Sequence, residues 1–295
     1  MRRTDDDPRW RADRWLTLHA ARPLARLALR PPAPSIPILM YHGIGDDVDS
    51  HLHPYLRTIT TRATFERHMA QVARRGGRAV SLSQATAMLR DPALDPDEAR
   101  RTVAVTFDDG FRDLHTTAWP ILERHGFGAT VFLATAFLDG DFVTGRPCLR
   151  RREVRQLADQ GLEFGSHTVN HLRLVELDDD TVRRELVDSR AAVEDLTGKP
   201  STLFSYPYRF PQEDAAFTQR LAHLLDDAGY TAGVTTIVGR ARSRDDVRFL
   251  PRLPVNDADD EDLLGAKLDG HYDWLRPLQH GRKQLRAWLQ AGRAA

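Results

Sequence analysis

The sequence predicts an α/β protein and, within that class, a distorted (β/α) barrel of about seven parallel strands with its chemistry at the strand C-termini. Three observations carry the prediction. Short apolar, β-branched runs alternate with helix-patterned segments seven or eight times between Ile36 and Pro254, as parallel strands joined by crossover helices do. No glycine-rich loop follows the first strand, where an open doubly wound sheet would carry one, because Gly43 and Gly45 lack the rest of that pattern. Several strands also end in residues able to do chemistry, and in a barrel such ends converge on one face.

Residues 1–34 stand apart from this alternation. Trp10, Trp15, Leu16, Leu18, Leu24, Leu27 and Leu29 are interleaved with eight arginines, which describes a basic amphipathic segment. We expect a helix covering the bottom of the domain or a frayed tail, with contact to a membrane surface through residues 1–30 as the alternative. Pro31-Pro32-Ala33-Pro34 then acts as a stiff linker. The barrel is expected over 35–256, and a helical C-terminal extension, broken near Gly270 and Pro277, over 257–295.

Within the barrel, 37–42 reads as the first strand and 46–61 as a long irregular loop. A helix opening at Thr64 runs towards Gly76-Gly77, a natural stop. Residues 78–82 form a second strand, and Ser83 caps the next helix. The Asp- and Pro-bearing stretch 91–100 reads as a surface loop. The third strand, Val103-Ala104-Val105-Thr106-Phe107, stops at Asp108-Asp109-Gly110, and a helix is expected from about 111 to 125. Strands at 128–134, 162–167, 202–206 and 230–236 alternate with helices near 151–160, 178–197 and 213–228. A weaker strand at 248–254 contains Pro251 and Pro254, which suits an edge or a bulge.

Composition removes several function classes. Lys plus Arg equals Asp plus Glu, at 42 each, so no global field favours nucleic acid, and none is expected as a partner. The single cysteine, Cys148, excludes an intramolecular disulfide and a Cys-rich zinc module, and reads as a buried or incidental thiol. No run approaches the ~18 apolar residues that span a bilayer. With no apolar core of a secretory signal, the expected location is the cytoplasm.

Asp-Asp is common in this chain, occurring nine times, mostly in polar surroundings that suggest solvated helix starts or loops. Only Asp108-Asp109 caps an apolar strand. Neighbouring side chains on a regular strand point to opposite faces, so the strand must finish near Phe107, with Gly110 permitting the turn that follows. Among the twelve histidines, His167 and His171 are the one pair four apart, and they directly follow the strand at 162–167. Two imidazoles converging with a carboxylate make a standard set for a divalent metal with a position open to water. Such a cation lowers the pKa of bound water and polarises a carbonyl, and a neighbouring carboxylate can take the proton.

Thr106-Phe107-Asp108-Asp109-Gly110 followed by Ser166-His167-Thr168-Val169-Asn170-His171 resembles the polysaccharide deacetylase family (NodB homology, carbohydrate esterase family 4) over roughly residues 36–255. The Ile38-Leu39-Met40-Tyr41-His42 strand and Tyr206-Pro207-Tyr208 look like a sub-branch that includes poly-N-acetylglucosamine deacetylases. The resemblance implies metal-dependent hydrolysis of acetyl groups on an N-acetylglucosamine-type glycan or glycan precursor, with that acetylated glycan as partner. It implies Asp108 as general base and Asp109, His167 and His171 as ligands of a divalent metal, with zinc expected first and cobalt or nickel as alternatives. The backbone N–H of Tyr208 is the natural oxyanion donor.

Two departures from the family pattern matter. Ser205 stands where the arginine that braces the base is usual, and Arg209 where a glycine is usual after the tyrosine. The late motif that carries the acid histidine has no counterpart. His42 is then either the proton donor to the leaving amine or a structural histidine hydrogen-bonded in the core. For Arg252 we expect a surface salt bridge, with replacement of the missing arginine as the alternative. Tyr41, Tyr206 and Trp274 either stack on a sugar or pack in the core. The functional alternatives are an O-acetyl esterase on an acetylated polysaccharide and a catalytically silent carbohydrate-binding member of the fold.

Overall fold

The computed structural model describes residues 11–25, 33–46, 52–279 and 281. Trp10, Leu27, Leu29, the Pro31-Pro32 half of the expected linker, the start of the 46–61 loop and nearly all of the tail beyond Gln279 lie outside the described residues. No helix among the described residues is long and apolar enough to cross a membrane.

Eight parallel strands form one sheet: β1 (Ile38–Tyr41), β2 (Arg78–Val80), β3 (Thr102–Phe107), β4 (Thr130–Leu133), β5 (Glu163–Ser166), β6 (Leu203–Ser205), β7 (Ala232–Val238) and β8 (Leu250–Pro254). Seven of them close a ring in the order β1-β8-β7-β6-β5-β4-β3, with β3 pairing back to β1 from Ile38↔Ala104 to Tyr41↔Phe107. The predicted distorted barrel of seven parallel strands is therefore present. Its irregularity sits at β3. There β2 pairs with the first half, Thr102 to Ala104, and β4 takes over on the same flank from Thr106. All six residues of β3 are buried, as expected for a strand covered on both faces.

The sequence pattern explains most helix starts. Thr61, Asp178, Asp214 and Asp260 cap the helices Arg62–Arg74, Asp179–Thr197, Ala215–Asp227 and Glu261–Leu268 by accepting a backbone N–H in the first turn. Ser81, rather than Ser83, caps Leu82–Arg90, in a capping box completed by Gln84. The stretch 91–100 is not all loop. Asp95 caps the helix Pro96–Arg101, which has proline in its first turn and two acids beside the N-terminus. The helix expected over 111–125 begins late, with one π-turn at Leu114–Ala118 before Trp119–Arg124. Inside the irregular loop, Ile59–Thr60 pairs with Gly43–Ile44.

β8 is not an edge strand, because it lies between β7 and β1 in the closed ring. The bulge reading holds: the register against β7 moves from Val234↔Leu250 to Val238↔Arg252, an irregularity beside Pro251, which has no N–H to give. The main core packs Tyr41, Phe65 and Phe107 against one another, with Tyr41 and Phe65 edge to face at 5.1 Å. Each such ring contributes ~1.5–3 kcal/mol by burial.

The N-terminal segment packs against the C-terminal helix Glu261–Leu268. Arg11 reaches Asp259 at 2.9 Å, Asp13 accepts from the Tyr272 hydroxyl, and Trp274 donates to Thr17 at 2.9 Å. Asp259, a member of one of the nine Asp-Asp pairs, is thus buried between Arg11 and Lys267 rather than solvated. Trp15, Leu16 and Leu24 remain exposed.

Candidate active site

The tip of β3 turns where the sequence requires it. Asp108 still donates its N–H to Tyr41 O at 3.0 Å, but Asp109 has φ 69° and Gly110 φ 66°. Two consecutive left-handed residues bring both carboxylates to the mouth of the barrel, and aspartate tolerates this region better than most residues. A Cβ on Gly110 would also fall 2.7 Å from the Leu133 side chain.

The histidine loop after β5 is equally constrained. Thr168 and His171 have φ of 68° and 51°. Ser166 Oγ accepts the Thr168 N–H at 3.1 Å, and Thr168 Oγ1 accepts that of His171 at 3.0 Å. From the helix Asp179–Thr197, the buried Glu185 carboxylate accepts Val169 N–H and Asn170 N–H at 2.9 Å each, and Asn170 Nδ2 at 2.6 Å. Sequence reasoning missed Glu185. Its signal was spacing: Val182, Glu185, Leu186, Ser189 and Val193 lie on the helix's buried side.

These two turns bring Asp109, His167 and His171 together, with one ligand atom from each within 4.8 Å of the others. Both Nε2 atoms lie 3.5 Å from Asp109 Oδ1, too far for good hydrogen bonds. That oxygen is buried and accepts from no group among the described residues. Two ligands each ~2.1 Å from a tetrahedral zinc ion are ~3.4 Å apart, so the donor set and its spacing fit a divalent cation. His167 donates from Nδ1 to Ser205 O at 2.7 Å, which leaves its Nε2 lone pair facing the triad. Burial, reinforced by His167, lowers His171 to about 4 and keeps its ring neutral. Burial opposes protonation of His167 as well, but Asp108 and Asp109 outweigh it and raise its pKa. A divalent cation in the same space competes with that proton.

Arg252 is where the structure overturns the sequence reading. It is no surface salt bridge but one of the largest fully buried side chains. Nη1 and Nη2 donate to Asp108 Oδ1 and Oδ2 at 2.8 and 2.7 Å, a bidentate pair. Ser205 Oγ donates to Asp108 Oδ1 and accepts from Arg252 Nη2, both at 3.1 Å. Burial alone would raise the Asp108 pKa, yet Arg252 holds this carboxyl well below the usual carboxylate range. Ring closure explains the miss. β8 lies two strands from β3, across β1, so its arginine can reach the carboxylate although Ser205 occupies the usual place.

His42 and Tyr208 line the same open cleft of about 380 Å³ as Asp108, Asp109 and the two histidines. His42 is half-buried, and its ring makes no hydrogen bond among the described residues, so a hydrogen-bonded core histidine is not what is seen. Tyr208 has φ 58°, and its ring lies 4.5 Å from that of His171. Its N–H donates to no acceptor among the described residues. Tyr41 and Trp274 follow the packing alternative: Tyr41 is buried, with its hydroxyl 3.0 Å from His68 Nδ1, and Trp274 bonds Thr17. Tyr206 is buried too but forms part of the cleft wall. Cys148 is a buried thiol that burial pushes up to about 12.

The barrel brings an Asp-His-His set and a braced carboxylate together at its strand ends, and the comparisons with known proteins point to carbohydrate deacetylases. The polysaccharide deacetylase family model matches residues 95–233 of the chain. It is 26% identical over 234 residues to the Bacillus subtilis (strain 168) protein YxkH, which is named for the same family, covering 79% of this chain and 76% of that one. It is 22% identical over 183 residues to a Staphylococcus aureus poly-beta-1,6-N-acetyl-D-glucosamine N-deacetylase, covering 59% of this chain and 61% of the relative. Among solved structures, a Streptococcus pyogenes deacetylase in complex with acetate superposes with a TM-score of 0.68 at 22% identity, covering 80% of this chain and 99% of that one. IcaB from Ammonifex degensii superposes at 0.64 and 18% identity, covering 81% and 98%. These two share the fold.

Proposed function

We propose that the protein removes N-acetyl groups from an N-acetylglucosamine-type glycan or glycan precursor. One observation carries the reading: a buried, unengaged Asp109 oxygen faces two imidazole nitrogens beside an Asp108 carboxylate clamped by Arg252. Asp109, His167 and His171 would hold a divalent cation, with zinc the first candidate for a set of nitrogen and carboxylate ligands. When bound, such a cation polarises a carbonyl and lowers the pKa of water.

The chain's own residues supply the remaining steps. Asp108, kept ionised and aimed by the Arg252 fork, takes a proton from the attacking water. The free N–H of Tyr208 donates to the oxygen on which negative charge develops. His42, with neither ring nitrogen engaged among the described residues, carries a proton to the departing amine. An amine cannot depart without that proton, whereas a sugar alkoxide needs it less, so a histidine at the cleft favours the N-acetyl reading over the O-acetyl one. A silent binding protein would have no use for both a braced carboxylate and a ligand set.

The test is acetate release from an N-acetylglucosamine oligomer and from p-nitrophenyl acetate, with zinc, cobalt or nickel added. Wild type should release acetate from both, and Asp108→Asn should lose on the order of 10²–10⁴-fold in kcat on the oligomer, the usual worth of general acid–base catalysis. Release from esters alone would favour the O-acetyl esterase. Metal bound without release from either substrate would favour the binding protein.

A further inference from the structure

One charged pair at the cleft has no task in the chemistry above. Arg146, on the hairpin that leaves β4, donates from Nη2 to Asp113 Oδ2 at 2.7 Å. Its guanidinium carbon stands 4.6 Å from the centre of the Phe111 ring. Gly43 lies against it as well: a Cβ built there would fall 2.2 Å from Nη1 and 2.6 Å from Nη2. Nη1 is buried and has no hydrogen-bond partner among the described residues, so the guanidinium is held by shape as much as by charge. Asp113 is half-buried, and its partial desolvation raises its pKa to about 6 against the pull of the Ile44 N–H and Arg146.

Three loops therefore meet at this pair. Gly43-Ile44 directly follows His42, Phe111 to Asp113 directly follow the Asp108-Asp109-Gly110 turn, and Arg146 belongs to the hairpin that sets Phe142 against His171 at 5.1 Å. The far side of Gly43-Ile44 is already fixed, since Gly43 N–H donates to Thr58 O at 3.1 Å. A side chain with no hydrogen bond of its own is aimed by its backbone, and His42 is such a side chain. We propose that Arg146 and Asp113 form a latch that positions His42 for proton delivery to the departing amine, with the bare backbone of Gly43 as the seat the guanidinium requires. Arg146 and Asp113 are positioning residues, and the inference rests on the reading of His42 as proton donor.

The experiment compares an amide with an ester whose leaving group needs no proton. In Gly43→Ala and Arg146→Ala, kcat on an N-acetylglucosamine oligomer should fall on the order of 10–100-fold, the scale of a small misplacement of a catalytic group, with KM near wild type. Turnover of p-nitrophenyl acetate by the same variants should stay at the wild-type level. In a His42→Ala background, adding Gly43→Ala should bring no further loss on the oligomer, as two changes in one function do. Should Gly43→Ala not fold, Asp113→Asn keeps shape and volume and carries the same expectation. Equal losses on amide and ester, or additive losses in the double variant, overturn the latch while leaving the deacetylase reading intact. A His42→Ala protein with wild-type amide turnover removes His42 from the mechanism and the latch with it. A wild type that releases acetate from neither probe removes the deacetylase reading first, and the latch falls with it.

Discussion

Replacing Arg252 with methionine keeps most of the side chain's volume and deletes a cation whose side chain is 0% exposed, opposite an Asp108 side chain that is 3% exposed. The wild-type pair is well satisfied, with two fork contacts to Asp108 and further bonds to Thr106, Ser205 and the Thr235 carbonyl. Removing one member of such a pair strands the other charge and costs ~3–5 kcal/mol, or a fall in Tm of roughly 6–20 °C for a chain of this size. The sign of the pH dependence should also reverse. In the wild type the native Asp108 pKa is depressed, so its contribution is present above the unfolded chain's 3.8 and is lost as pH falls through the native value. In Arg252→Met, burial, the largest influence on this carboxyl, is opposed only by His167 and His42 and should raise the native pKa above 3.8. The native state then binds the proton more tightly than the unfolded chain, and stability falls as pH rises above 3.8. Urea unfolding of the metal-free proteins at several pH values between 4 and 7.5 measures both effects. Adding Asp108→Asn should restore most of the loss, because the double variant buries no net charge. A single variant within ~1 kcal/mol of wild type at neutral pH, or a double variant no more stable than the single, would refute the reasoning, because neither fits a stranded buried charge.

Glu185→Ala should leave three donors of the 168–171 loop without their acceptor and weaken zinc binding ~10–100-fold, measured by chelator competition; unchanged affinity would show that the loop holds its shape alone. His68 donates from Nε2 to Asp259 O and accepts from the Tyr41 hydroxyl, so its buried ring is neutral, and burial lowers its pKa below 6.5. Below pH 6.5 the unfolded chain takes up the proton first. Stability relative to a His68→Leu variant should therefore decline on acidification from pH 7.5 to 5, as read by thermal melts; a constant difference would contradict a neutral native ring.

The fold was legible because alternation is a one-dimensional signal. A strand buried on both faces must read as a continuous apolar run, as Val103 to Phe107 does, and the helices between such runs impose parallel pairing. Asp108, Asp109, His167 and His171 were legible because strand ends in a barrel share a face. What escaped depends on side-chain reach. Arg252 serves a carboxylate at the tip of a strand with which its own strand does not pair, and Glu185 reads as one more acid on a charged helix until that helix is docked. The helix Pro96–Arg101 is a different case. Its cap, proline and first-turn acids were all in the sequence, but the same residues also spell a turn, and six residues are too few for periodicity to decide.

The ring closes between the first and last strands of the barrel, through Leu39↔Leu253 and Pro254↔Met40, and Arg252 rides on that last strand. A chain growing from its N-terminus presents Asp108, Asp109 and both histidines well before their counter-charge has been synthesised. Until β8 arrives, any collapsed intermediate must leave Asp108 in water or bury it without its arginine, so the site is finished only by the most non-local pairing in the fold. Chemical competence and topological completion thus arrive in one step, and a chain cut short before β8 would lack the closing strand and the brace together.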